Sequence, residues 1–248
     1  MQKTNLKEVM EISLLAGKIM LENGAETYRV EDTMNRIARA FGVEQCESFV
    51  TPTGIIFSID DVEQTKLVRV FERTTDLHKV DLVNSISRRI SSGELSMEEA
   101  LLALKQVNQS KEEYPIWIQV FAASIASGCF LIMFQGLWAD FVPAMVAGGL
   151  GFITLIYIHQ LVKIKFFAEF LASFVIGVTA YGLVIWDFGV QLDKIIIGSV
   201  MPLVPGLLIT SAVRDLMAGH LVAGLSKGAE AFLTAFAIGA GIAAVLSL

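Results

Sequence analysis

The chain has 248 residues, 54% of them hydrophobic, with a mean hydropathy of +0.62 and a formal net charge of −6. A single soluble domain does not combine that hydropathy with 18% charged residues. Position resolves the conflict: residues 1–114 hold 33 of the 44 charged side chains and residues 115–248 only 11. The acidic balance leaves no electrostatic footprint for nucleic acid, and two cysteines split between the halves, Cys46 and Cys129, exclude a disulfide scaffold. The expected fold is a small α+β cytosolic head, residues 1–113, followed by an α-helical membrane domain, residues 114–248, with five transmembrane helices.

The opening MQKTNLKEVMEISLLAGKIMLENG reads as an amphipathic helix rather than a signal peptide, because Val9, Ile12, Leu15 and Ile19 recur at helical spacing among charges. Gly24 suits the end of that helix, where a positive φ is cheapest for glycine. A second helix is expected over Thr27–Phe41, with Val30, Met34, Ile37 and Ala38 on one face. CESFVT and IIFSID read as strands joined by a hairpin turn at Pro52-Thr53-Gly54, and TKLVRVF as a third strand. Helices near 79–92 and 97–109 complete the head, the latter opening on the capping box Ser96–Glu99.

Beyond Tyr114-Pro115, stretches of about 20 apolar residues, the length a bilayer core requires, follow one another. They are placed near 116–137, 141–161, 166–186, 193–213 and 229–247. Loop basic residues set the orientation: Lys163, Lys165, Arg214 and Lys227 would lie inside and Lys194 alone outside. The N-terminus is therefore expected in the cytoplasm and the C-terminus outside. Trp117, Trp138 and Trp186 fall near span ends, as an aromatic belt requires.

The fourth span, KIIIGSVMPLVPGLLITSAVRD, carries Pro202 and Pro205, which cannot donate backbone hydrogen bonds to Gly198 and Met201. Unpaired carbonyls in lipid must be buried in protein or line a wet cavity. One reading is a broken helix that binds solute at its half-helix N-terminus: Pro205 and Gly206 open the half-helix, Gly206, Leu207 and Leu208 offer N–H groups to an anion, and Thr210 and Ser211 add hydroxyls. The other is a proline kink. Arg214 and Asp215 end the span; they read either as an anion attractant and a proton carrier or as an interfacial arginine with its counter-charge. Glu169 and Glu230 are ionisable groups within or beside spans and hence proton-coupling candidates, although Lys165 and Lys227, three or four residues earlier, offer them structural pairing. His220 reads as a surface residue of a cytosolic stretch.

In the head, Glu22, Glu26, Arg29, Glu31 and Asp32 cluster at a helix–helix corner, read either as an acid–base pair or as a solvated, salt-bridged surface. No Walker A, G-x-S-x-G, H-E-x-x-H or dinucleotide fingerprint is present, so neither catalysis nor a cofactor or metal is expected. Transport, if any, would draw on an ion gradient, the solute gradient or a separate subunit. Small residues four apart, Ser124/Gly128, Ala144/Gly148, Ser173/Gly177 and Ala235/Gly239, permit close helix packing. A membrane-anchored hydrolase and a membrane sensor or scaffold stay open as alternatives.

LLAGKIMLENGAETYRVEDTMNRIARAFG with VTPTGIIFSI, then FQGLWAD and PLVPGLLITSAVRDLMAGHLVAGLSKGAEAFLTAFAIGAGIA, resemble the threonine/serine exporter family of prokaryotes. The resemblance implies a proton-driven secondary exporter of small amino acids or related organic acids in the inner membrane. Its motif positions fall on Gly24, Arg29 and Glu31 in the head and on Pro205, Gly206, Asp215, Gly219 and Glu230 in the membrane domain. Single-chain members carry a second membrane block that this sequence lacks. The chain therefore resembles the split form, in which a second small membrane protein supplies the other half and the substrate can be a dicarboxylate.

Overall fold

The computed structural model describes residues 5–59, 65–110, 114–162 and 164–247. By Cα proximity the chain divides into two compact units, one of residues 1–111 with 208–228, the other of 112–207 with 229–248.

The first unit is built on α1 (Leu6–Glu22) and α2 (Thr27–Ala40). Val9, Ile12, Ala16 and Ile19 of α1 and Val30, Met34 and Ile37 of α2 are buried with almost no exposure. Gly17 sets their closeness, since a Cβ there would come within 2.8 Å of Met34 Cγ. The sheet is an antiparallel meander of β1 (Cys46–Thr51), β2 (Gly54–Ile59) and β3 (Thr65–Arg69). Thr51 pairs with Gly54, so the expected hairpin turn is a two-residue loop, Pro52-Thr53, and Gly54 is the first residue of β2. Val50, Ile55, Phe57 and Ile59 turn into the core, while the in-register row Phe49, Ile56 and Leu67 faces outward. The expected strand residue Asp60 lies outside the described residues. Helices α3 (Leu77–Ser91) and α4 (Met97–Gln109) close the core through Val83, Ile90, Ala100 and Leu104. The capping box at Ser96 is formed: its backbone N–H donates to Glu99 Oε2 at 2.9 Å, and Glu99 N–H returns to Ser96 Oγ.

The second unit contains α5 (Ile116–Met133), α6 (Phe141–Val162), α7 (Lys165–Ile185) and α8 (Leu192–Val200), with residues 229–246 of α10 (Leu221–Leu246). Its core is made of small and medium side chains: Leu131, Ala144, Ala147, Ala172, Ile176, Ala180 and Ile195. Large apolar residues such as Phe121, Leu150, Tyr181, Phe232 and Phe236 are exposed. Small inside and large outside is the polarity of helices solvated by lipid, whose packing depends on close backbone approach. Gly198 illustrates it: a Cβ there would meet Leu131 N and Ser127 O, each at 2.9 Å.

Among the described residues, four helices are long and apolar enough to cross a membrane, and five if the bent pair Leu192–Leu203 and Gly206–Met217 counts as one span. All three tryptophans are exposed at helix ends. The stretch between the expected fourth and fifth spans is not open chain. Helix α9 (Gly206–Met217) continues past Arg214, and α10 begins at Leu221, eight residues earlier than expected. Gly219, at φ +86°, makes the reversal between them. Of the basic residues used for orientation, Lys163 lies outside the described residues, and Lys165, Arg214 and Lys227 are within helices.

Candidate functional site

In the first unit, the α1–α2 corner meets α9 and the start of α10 through a buried polar network. Glu26, the N-cap of α2, makes no side-chain cap of its own. The cap comes from Asp215, 188 residues away, which accepts the Thr27 backbone N–H at Oδ1 (2.9 Å) and the Thr27 hydroxyl at Oδ2 (3.0 Å). A carboxylate at a helix N-terminus meets free N–H groups and the positive end of the dipole. Lys227 completes the arrangement. Its ammonium lies 2.7 Å from Asp215 Oδ2 and donates also to the Ala25 carbonyl and the Thr27 hydroxyl, each at 3.4 Å. Asp215 is 0% exposed and Lys227 4%, so this ion pair is fully withdrawn from water.

Glu26, released from capping, receives Arg214 at 2.6 Å and Arg29 at 3.3 Å. Burial pushes its carboxyl up, but its own backbone N–H and the two guanidinium groups outweigh burial and hold it below the usual carboxylate range. Glu31 accepts the Val50 N–H at 2.9 Å and lies 3.7 Å from His220 Nδ1. Burial raises the Glu31 carboxyl, Val50 and His220 offset part of that, and the Asp215 charge adds to the rise. Gly24 turns the corner at φ +89°, with the Thr74 carbonyl 3.3 Å from where a Cβ would stand.

Several expectations change here. The corner is a solvated, salt-bridged surface only in part: Asp32 is exposed and pairs with Arg36 and Glu22 pairs with Lys18, whereas Glu26 is 8% exposed and shares its oxygens between two arginines. Asp215 is not the counter-charge of Arg214 at a water boundary; Arg214 pairs with Glu26 and Asp215 with Lys227. The lysines do not serve the acids nearest in sequence either. Lys227 bonds Asp215 rather than Glu230, and Lys165 bonds Glu230 at 2.8 Å rather than Glu169. The structure brings Gly24, Glu26, Arg29, Glu31, Arg214 and Asp215 into one neighbourhood. Thr27, Lys227 and His220 belong there too, although sequence reasoning had not singled out Thr27 and had set Lys227 and His220 other roles.

The fourth-span break has the expected start. Helix α8 ends in a 3-10 turn, Met201–Leu203, Val204 is extended, α9 begins at Gly206, and the bend is 59°. The Met201 carbonyl, deprived by Pro205, accepts Val204 N–H at 3.1 Å instead. Of the offered donors, Gly206 N–H already donates to the Val204 carbonyl at 2.8 Å. Pro202, Pro205 and Ser211 are half-buried, Leu208 likewise, and Gly206, Leu207 and Thr210 are exposed. In the second unit, Glu169 of α7 is 5% exposed and accepts the Thr234 hydroxyl at 3.2 Å. Asp140, from the FQGLWAD segment, accepts Val190 N–H (2.6 Å) and Gln191 N–H (3.1 Å) and so holds the turn that starts α8, a role that sequence reasoning missed. No cluster of His, Cys, Asp and Glu suited to a metal occurs among the described residues.

The family described as "Putative threonine/serine exporter" matches residues 11–248. The chain is 25% identical to "Probable succinate transporter subunit YjjP" of Escherichia coli (strain K12), over 100% of this chain and 97% of that protein. It is also 25% identical to "Probable threonine/serine exporter" of Mycobacterium tuberculosis and 22% identical to "Threonine/serine exporter" of Corynebacterium glutamicum. Those matches cover 92% and 94% of this chain but 44% and 50% of the two exporters. No solved structure matches the chain. With a family match over almost its whole length and apolar helices suited to a bilayer, the chain belongs to the threonine/serine exporter family of membrane transport proteins.

Proposed function

We propose that the chain is one component of a secondary exporter in the inner membrane of a prokaryote. It moves small amino acids or related organic acids, threonine- and serine-like or dicarboxylate, out of the cell at the expense of the proton gradient. The observation that carries this reading is the break at Met201–Pro205. A helix interrupted within an apolar stretch starts again at Gly206, and the N-terminus of the new helix presents the positive end of its dipole to an anion. In this reading the bent pair is one of five spans, with the N-terminus in the cytoplasm and the C-terminus outside. The substrate carboxylate meets the first turn of α9 at Leu207 and Leu208, with Thr210 and Ser211 beside it and Arg214 drawing the anion in.

A second membrane protein completes the pathway. The near end-to-end match to a protein named a transporter subunit, beside matches to half or less of the named exporters, supports a two-component assembly. The buried Asp215–Lys227 pair fits a fixed joint better than a group that gains and loses a proton, because removing either charge strands the other. The test is uptake of labelled threonine, serine and succinate into inverted vesicles containing both proteins. Uptake that requires both and collapses with an uncoupler is the expected result. Uptake indifferent to the uncoupler would contradict proton coupling, and none of any solute by inserted protein would contradict the exporter reading.

A further inference from the structure

Glu169 lies one turn into α7, inside the second unit. Its Oε1 accepts the Thr234 hydroxyl, and its Oε2 is buried with no hydrogen-bond partner among the described residues. A buried polar atom without a partner is rare enough in native proteins to call for a reason. The usual remedy, a lysine one turn earlier, is in place but engaged elsewhere: Lys165 bonds Glu230 at 2.8 Å. Two i, i+4 pairs therefore face each other, Lys165/Glu169 on α7 and Glu230/Thr234 on α10. One level holds an ion pair and the next a carboxyl with a hydroxyl.

The two helices pack closely further along. A Cβ on Gly241 would stand 3.1 Å from Phe174 N, and one on Gly177 would stand 3.0 Å from Val245 Cγ2. Among the described residues, the charged groups within electrostatic reach of Glu169 are Lys165 and Glu230. Helix α6 carries Tyr157 and His159, both exposed; α8 carries Asp193, exposed, and Lys194, which bonds the Phe134 carbonyl.

An ionised carboxylate with one hydroxyl donor is expensive away from water, whereas a protonated one carries no charge to desolvate. We propose that Glu169 is the group that takes up and releases the coupling proton. Lys165 changes partner from Glu230 to Glu169 when the proton leaves. This deepens the proton-coupled reading above and rests on it. The protonated carboxyl is neutral beside an intact Lys165–Glu230 pair; the ionised one draws the ammonium one turn along α7, away from Glu230. Of the three acids that the sequence offered for coupling, Asp215 and Glu230 are each bound to a lysine, and Glu169 makes no ion pair among the described residues.

The experiment uses Glu169→Gln with the partner protein in inverted vesicles, assayed in two modes. An imposed pH gradient should no longer accelerate uptake of labelled substrate, while exchange of labelled for unlabelled substrate continues as in wild type. Thr234→Val, which removes the donor favouring the ionised form, should shift the pH midpoint of gradient-driven uptake upward. Gradient-driven uptake by Glu169→Gln equal to wild type would overturn the assignment. Loss of both modes by an inserted, folded Glu169→Gln would also overturn it, since that marks a structural or substrate-binding role. If wild-type uptake itself ignores the gradient, the proton-coupled reading fails, and this inference with it.

Discussion

Asp215 caps the helix that begins at Thr27, accepting both its backbone N–H at 2.9 Å and its hydroxyl at 3.0 Å. The carboxylate that ends the P-L-V-P-G-containing segment thus performs a task that the α1–α2 corner leaves undone. Lys227 binds the same carboxylate from α10, so the starts of α2 and α10 converge on one pair of oxygens from α9.

Asp215→Asn leaves Lys227 buried without a counter-charge, and breaking a buried pair from one side costs about 3–5 kcal/mol. Thermal unfolding in detergent, followed by loss of the monodisperse peak, should show a large drop for this variant. Asp215→Asn/Lys227→Met should recover part of the loss, because no charge is then stranded. An Asp215→Asn variant that melts with wild type would contradict the buried ion pair.

The two head carboxylates have opposite pH signatures. Glu31 is raised above the ordinary value of 4.5, so the folded state holds its proton over the window just above that value, and stability falls as pH rises through it. Glu31→Gln keeps an oxygen for the Val50 N–H and removes this fall, so it should gain on wild type as pH rises past the ordinary carboxylate value. Glu26 is lowered from 4.5; its stabilisation is complete above that value and is lost as pH falls through the folded pKa. Glu26→Gln should therefore be destabilised near neutrality, with the gap to wild type closing in acid. Unfolding midpoints across pH that ran parallel for all three proteins would refute both assignments.

A Cβ at Gly206 meets nothing within 4 Å among the described residues, and its φ is not in the left-handed region. Gly206→Leu should therefore insert and fold as wild type while blocking solute at the first turn of α9. Transport near wild type in this variant would remove that turn from the solute path.

Local features were legible where one short segment decides them. The Ser96–Glu99 capping box, the Pro52-Thr53 hairpin loop and the helix start after Pro205 each depend on residues within a few positions. Side-chain partners were not, because they depend on which helices the tertiary fold sets side by side. The sequence offers Lys227 to Glu230 three residues on, but the reversal at Gly219 folds α10 back on α9 and puts Asp215 within reach. Lys165 likewise reaches across from α7 to α10. The start of α10 was hidden for a related reason. Its first turns, with two glycines and a serine, are weak helix formers alone, but Gly224 packs where a Cβ would come within 2.9 Å of the Ala212 carbonyl, and that close contact supports the helix.

The most direct measurement is substrate protection at the broken helix. With Cys46 and Cys129 replaced by serine, single cysteines at Thr210 and Ser211 are labelled by a membrane-impermeant maleimide in inverted vesicles containing both proteins. Saturating threonine, serine or succinate, whichever the vesicles transport, should slow labelling at one or both positions while leaving a cysteine at exposed Leu102 unaffected. Labelling at Thr210 and Ser211 that is indifferent to a solute being transported would contradict a substrate path through the first turns of α9.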